Sequence, residues 1–240
     1  MKRLLFAVVL TLTVMTIKAR TLIVYYSYTN NVERIVRELS TRIEADVVKI
    51  EPAEKGLDYA ADNYAIGSAQ IAAIRANPDN ADSYPPIDSV NIDFTQYSTV
   101  IVGAPLWWSN MAAPLQTFLF QHGQEMADKN IGLIVSSASS GISGVESDAR
   151  RLIPEGRFLS PSLWIRSSQT SGAGPMIDNW LQAIDYKNLT TGIASLSPDT
   201  SAAYTICTLS GVRLMSGARE LPALSAGLYI INGKKTAVSR

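Results

Sequence analysis

Three short segments of this 240-residue chain gather groups suited to holding a ligand. The first is Ser27-Tyr28-Thr29-Asn30-Asn31-Val32, which closes an apolar run and opens an amphipathic one. Hydroxyls, amides and backbone N–H groups at a helix start can hold an anion without a basic side chain, and the nearest cation here is Arg34. The second, Ala104 to Met111, contains Pro105, Leu106 and the adjacent pair Trp107 and Trp108. Two neighbouring indoles after a buried strand cannot both pack inward in the same way, so at least one should face the rim, where it can stack on a flat ring. The third, Ser136 to Gly144, is made largely of small residues, among them Ser137, Ala138, Ser139, Ser140 and Gly141. Small residues let the backbone approach a ligand closely and offer N–H donors to a planar heterocycle. An anion cradle, an aromatic platform and a small-residue loop together describe a site for a phosphorylated planar cofactor. Each has a plainer role as well: a helix cap, a cover for the sheet edge and a flexible linker.

Such segments meet only if the elements before them end on the same side. Thr21 to Tyr26 reads as a buried strand, and Val32, Ile35, Val36, Leu39 and Ile43 then recur at helical spacing. Asp46 to Ile50 returns as a strand, completing a βαβ unit. Asp58 to Ala76 can form a helix and Asn77 to Pro86 a loop. Thr99 to Ala104 is the third strand, ending at Pro105, with a helix behind it marked by Leu115, Phe118 and Leu119. Ile131 to Val135 is the fourth. A helix near Val145 to Leu152, a strand near Arg157 to Ile165 and a helix from Pro175 to Tyr186 complete the set. Five alternations of strand and helix predict an α/β fold, a five-stranded parallel sheet doubly wound by helices. Ligands of such sheets bind beyond the carboxyl ends of the strands, where all three segments fall.

Composition removes several function classes. Twenty-one basic residues balance twenty-one acidic ones, so the chain lacks the basic excess of a dedicated nucleic-acid binder. One cysteine, Cys207, excludes an internal disulfide, and one histidine, His122, disfavours imidazole metal sites and a Ser-His-Asp triad. Cys207 is read as a buried small residue, His122 as a helix-end residue, and Arg150, Arg151 and Asp148 as a solvated helix face. No residue stands out as catalytic.

The segments VYYSYTNNVERIVREL, VIVGAPLWWSNMAAPLQTFL and GLIVSSASSGISG resemble, in order and spacing, the flavodoxin family, and most of all its branch with a tryptophan-containing second loop. The resemblance covers residues 20–186. It implies an FMN cofactor and either an electron carrier or a simple FMN-dependent reductase, working with a redox partner protein or a small electron acceptor. Carried over by position, Ser27, Tyr28, Thr29 and the backbone of Asn30, Asn31 and Val32 would hold the phosphate. Trp107 or Trp108 would stack on the flavin beside Pro105 and Leu106, and Ser137 to Gly141 would line the other side. Two positions depart from the family: Asn30 stands where it carries glycine, and Val32 where it carries a hydroxyl residue. Asn accepts positive φ better than most residues. A lost hydrogen bond to a charged group costs about 1.5–3 kcal/mol, which weakens binding rather than abolishing it. The alternative is a flavodoxin-fold surface binding module that has lost FMN.

The two ends point to export. Lys2 and Arg3 precede an uncharged stretch, Leu4 to Ile17, too short to span a membrane but suited to a secretory signal, giving a signal peptide over 1–19. Residues 187–203 read as a linker and 204–240 as a short β-rich appendage. The tail, with Tyr204, Leu209-Ser210-Gly211 and Leu224 to Ile230, resembles the C-terminal sorting domain of Bacteroidetes type IX secretion substrates. That resemblance implies contact with the secretion machinery and a periplasmic, surface or secreted location. A plain β-appendage is the other reading.

Overall fold

The computed structural model describes residues 20–191, 204–218, 224–232 and 234–238. The expected signal peptide, 1–19, and most of the expected linker, 192–203, lie outside the described residues. Eleven strands and six α-helices occur among those described: β1 (Arg20–Tyr25), α1 (Asn31–Ser40), β2 (Asp46–Lys49), α2 (Ala61–Ala76), β3 (Tyr97–Trp107), β4 (Asn110–Met111), α3 (Ala113–His122), β5 (Asn130–Ser137), α4 (Ser143–Leu152), β6 (Arg157–Phe158), β7 (Leu163–Arg166), α5 (Gly174–Ala183), α6 (Tyr186–Thr191), then β8 (Tyr204–Thr208), β9 (Arg213–Ala218), β10 (Gly227–Ile231) and β11 (Lys234–Val238).

The parallel sheet runs β2-β1-β3-β5, with β6 and β7 both pairing parallel to β5 at its far edge. Those two pieces are the expected fifth strand, broken at Leu159 to Ser162. Pro161 has no N–H for the ladder, which explains the interruption. Alternation along each central strand feeds two apolar layers. Leu22, Val24, Val100, Val102, Leu133 and Val135 face α2, α3 and α4, which contribute Ile71, Ile74, Leu115, Phe118, Val145 and Leu152. Ile23, Tyr25, Ile101 and Ile134 face α1 and α5, which contribute Val32, Ile35, Leu39, Ile177 and Trp180. Burial on both faces is what makes these strands continuous apolar runs in sequence.

Three expected boundaries move. β3 does not stop at Pro105 but continues to Trp107 and folds back on β4 as an antiparallel hairpin, pairing Leu106 with Met111 and Trp107 with Asn110. Pro105 sits where its carbonyl, not its absent N–H, is used: it accepts from Ala112 N at 3.1 Å. Residues 187–191 belong to α6 rather than to a linker. The helix expected from Asp58 begins at Ala61, and Asp62, Asn63 and Tyr64 all have positive φ, so its first turn is left-handed. The tail forms a four-stranded antiparallel sheet in the order β11-β10-β8-β9, with a small core of Tyr204, Ile206 and Ile231. Cys207 in β8 is half-buried rather than buried. No helix among the described residues is long and apolar enough to cross a membrane.

Candidate functional site

β1 lies between β2 and β3, so the chain leaves β1 one way and returns to β3 on its other side. The carboxyl ends of β1 and β3 therefore flank the switch point of the sheet. The loop after β1 delivers residues 27–30 there, directly before α1. Asn30 takes the N-cap position with φ 60° and ψ 6°, the left-handed turn for which asparagine substitutes for glycine. Its side chain makes no capping bond. Ser27, buried, accepts from Glu33 N at 3.2 Å and so serves the third N–H of the helix. The N–H groups of Asn31 and Val32 receive no acceptor among the described residues, and they carry the positive end of the α1 dipole. The Val32 side chain is wholly buried against Gly103, so that residue offers its backbone alone. Asn31 is held sideways, donating to Thr29 Oγ1 at 3.1 Å and accepting from Thr170 Oγ1 at 3.4 Å. The loop is thus a cap only in part and keeps donors for an anion. Two lysines beside it are engaged elsewhere: Lys49 with Glu51 (2.8 Å) and Glu33 (3.5 Å), Lys55 with Asp88 (2.6 Å). The hydrogen bond that Lys49 donates to Glu51 is the chief reason its ammonium titrates above its ordinary value.

The hairpin after β3 presents the tryptophans differently from one another. Trp107 is half-buried in an aromatic cluster, 5.6 Å from Tyr26 and 4.8 Å from Tyr59 between ring centres. Trp108 is 41% exposed and lies edge-on to Tyr64 at 6.5 Å. The rim-facing indole is therefore Trp108. Burial pushes the Tyr26 phenol far above its ordinary range, keeping that ring neutral. Both central residues of the turn have positive φ, Trp108 at 45° and Ser109 at 64°, where hairpins of this hand normally carry Asn or Gly. A non-glycine residue costs about 1–2 kcal/mol in that conformation. Nine non-glycine residues of the described chain have positive φ, and six of them, Asn30, Asp62, Asn63, Tyr64, Trp108 and Ser109, stand around this one site.

Two adjoining cavities open between these loops. One, of about 220 Å³, is lined by Tyr28, Thr29, Tyr59, Tyr64, Leu106, Trp107 and Trp108, with Gly67 at its floor. A Cβ at Gly67 would stand 3.0 Å from the Trp108 ring, so a larger residue there would press on that indole. The other, also about 220 Å³, has Ser27, Tyr28, Asn30 and Tyr59 on its walls with Lys49, Glu51 and Lys55. Tyr28 and Tyr59 border both. Each alone falls below the roughly 300–1,000 Å³ usual for cofactor pockets, and a cofactor would have to span them.

The third segment is placed beside this pair rather than in it. Ser136 lies opposite Pro105 in the β3–β5 register, which brings the loop after β5 next to the hairpin, but Ser137 to Gly141 line neither cavity. Ser137 is buried and structural: it donates to Ser140 O (2.8 Å) and accepts from Trp164 Nε1 (2.8 Å). Ala138, Ser139, Ser140 and Gly141 are exposed, and nothing stands within 4 Å of where a Gly141 Cβ would be. The buried Ser136 hydroxyl has no partner among the described residues.

Several site residues escape the sequence reading. Tyr59 and Tyr64 come from the long connection between β2 and β3, and no spacing marks them. Tyr28 donates to Asp58 Oδ1 at 2.8 Å and accepts from Ala60 N at 3.1 Å, fastening the β1 loop to the entry of α2. That hydrogen bond raises the Tyr28 phenol above, and holds the Asp58 carboxyl below, its ordinary value. Asp148 is not on a solvated face. It is 7% exposed and accepts from Asn110 Nδ2 and Met111 N, each at 2.9 Å. Its spacing with Val145, Ala149 and Leu152 is the available signal, since i, i+3, i+4 and i+7 share one face. His122 does end α3, with Nδ1 2.7 Å from Glu125. No group of three metal-ligating side chains occurs among the described residues.

Comparison with known proteins agrees with this architecture. The sequence profile described as Flavodoxin matches residues 20–184. Among solved structures, a candidate flavoprotein from Bacteroides eggerthii DSM 20697 is 19% identical, covering 70% of this chain and 98% of its own, with a TM-score of 0.54. One from Bacteroides uniformis ATCC 8492 is 20% identical over 67% of this chain and 98% of its own, also at 0.54. A flavoprotein from Lactobacillus acidophilus NCFM, solved in complex with FMN, is 22% identical over 64% of this chain and 97% of its own, at 0.51. At these identities the likeness is one of fold. Among curated proteins, none matches the chain.

Proposed function

Because the chain belongs to the flavodoxin family, we propose that it binds FMN and transfers electrons, as a carrier or as a simple FMN-dependent reductase. The observation that carries the reading is the uncapped start of α1 set beside the aromatic cavity at the switch point. The N–H groups of Asn31 and Val32, with the Thr29 hydroxyl, would hold the phosphate. Trp108, Trp107 and Leu106 would border the flavin ring, with Tyr59 behind them. The exposed backbone of residues 138–141 and the unpartnered Ser136 hydroxyl are the groups on the β5 side able to meet its polar edge. Bound flavin supplies the redox chemistry; the chain orients it, shields one face and sets its electrostatics. A redox partner protein or a small acceptor would meet it at the rim beside Trp108 and Tyr64, both of which are exposed.

The test is a fluorescence titration of FMN with the purified chain. Saturable quenching at micromolar protein supports the reading, and Trp108→Ala should weaken it. Unquenched flavin at millimolar concentration, with the chain folded by circular dichroism, overturns it and leaves a surface binding module. Export through the 1–19 segment is supported by its charged start and short apolar run, and sorting by type IX machinery through 204–240 by the tail's resemblance. Mass spectrometry of the periplasmic and surface fractions, looking for a chain beginning at Arg20, tests the first. Deletion of the tail followed by localisation tests the second.

A further inference from the structure

The hairpin bearing Trp107 and Trp108 is braced by polar groups from three helices. On the α4 side, Asp148 Oδ2 holds Asn110 Nδ2 and Met111 N, the two residues that follow the turn. On the α2 side, Arg75 Nε donates to Asn110 Oδ1 at 2.7 Å and Arg75 Nη2 to the Trp108 carbonyl at 2.6 Å. Asn110 is therefore gripped at both ends of its amide. Behind it, Arg151 stands 3.5 Å from Asp148 Oδ1 and donates to Gln116 Oε1 at 2.9 Å. Gln116 Nε2, from α3, closes the circuit on Met111 O at 2.7 Å. Gly144 leaves no slack, because a Cβ there would fall 1.8 Å from Ser109 O.

A buried carboxylate is costly unless paired and hydrogen-bonded, and an apolar residue at position 148 would suit the helix face it occupies. Besides its ion pair with Arg151, what the carboxylate adds is two hydrogen bonds, both made to the hairpin. The turn they hold has two non-glycine residues at positive φ and would relax if released. We propose that Asp148 is a positioning residue which, acting through Asn110 and against Arg75, fixes the Trp107–Trp108 hairpin in its ligand-ready geometry. The consequence for FMN rests on the function proposed above; the consequence for the indoles does not.

The test uses the full chain with Asp148→Asn, Asn110→Ala and the double variant. Four tryptophans give four indole N–H resonances, and Trp164 and Trp180 are internal controls bonded to Ser137 and Pro161. Without FMN, the Trp107 and Trp108 resonances should shift or broaden in each variant while the controls stay. FMN affinity should fall about tenfold in each single variant and by less than the product of the two in the double, since both changes break the shared Asp148–Asn110 link. Folded variants with unmoved Trp107 and Trp108 resonances overturn the proposal, as do additive losses of affinity. If Asp148→Asn does not fold, Asn110→Ala alone decides, because Asn110 is only half-buried. If the unsubstituted chain binds no FMN, the function proposed above fails by itself and the indole shifts still judge Asp148.

Discussion

At the scale of single residues, the site holds strain that the sequence does not advertise. Ser109 has a positive φ of 64° and an exposed side chain, so nothing but backbone strain distinguishes it from glycine. Ser109→Gly should raise stability by about 0.5–1 kcal/mol, the relief of a left-handed residue less the greater freedom of the unfolded chain. Urea denaturation reads it, and a lowered midpoint would show that the turn is not strained. Asp58 makes a second residue-scale prediction, in pH. Its carboxyl is held below 3.8 first by the Tyr28 hydroxyl and then by the Ala60 N–H. A carboxyl with a lowered folded pKa contributes stability that is complete above its unfolded value and is lost as pH falls through the folded one. The tie between the β1 loop and α2 should therefore hold at neutral pH and open only in acid below 3.8. Tyr28→Phe should move the Asp58 titration back upward, followed by carboxyl carbon chemical shift, though not fully, since Ala60 still donates.

At the scale of elements, the start of α1 is where the proposed phosphate contact is tested. Asn30 turns the chain in the left-handed conformation, and the next two N–H groups have no acceptor among the described residues. Asn30→Gly should keep both the turn and FMN binding, whereas Asn30→Ala should cost about 1 kcal/mol of stability and weaken FMN together. Thermal melts and flavin titrations of the pair check this, and equal behaviour of the two variants would remove the left-handed turn from the argument. The α1 periodicity, the βαβ unit and the loops after β1, β3 and β5 were all legible, because helical spacing and buried strands are written locally. The hairpin was not, because β4 has two residues and exists only through pairing with the end of β3. Nor was the left-handed opening of α2, which no residue type there demands.

At the scale of the whole molecule, the two layers on the parallel sheet close among residues 20–191 and include no side chain of the tail. A chain ending at Thr191 should therefore unfold cooperatively and still quench FMN, with a melting temperature within a few degrees of the parent. Calorimetry of the truncated chain tests this. The isolated 204–240 segment, by contrast, lies below the roughly 40 residues at which a core sustains itself and should not fold alone.

By itself the sequence determined the order of elements, the parallel sheet and the three loops gathered at its carboxyl edge, since strand burial and helix phase are properties of neighbouring residues. Tertiary structure alone decided which tryptophan faces outward, that Tyr59 and Tyr64 complete the aromatic wall, and that Asp148 lies under the hairpin instead of in water. Those outcomes depend on contacts between residues far apart in sequence, made only when α2 and α4 pack on the same face of the sheet.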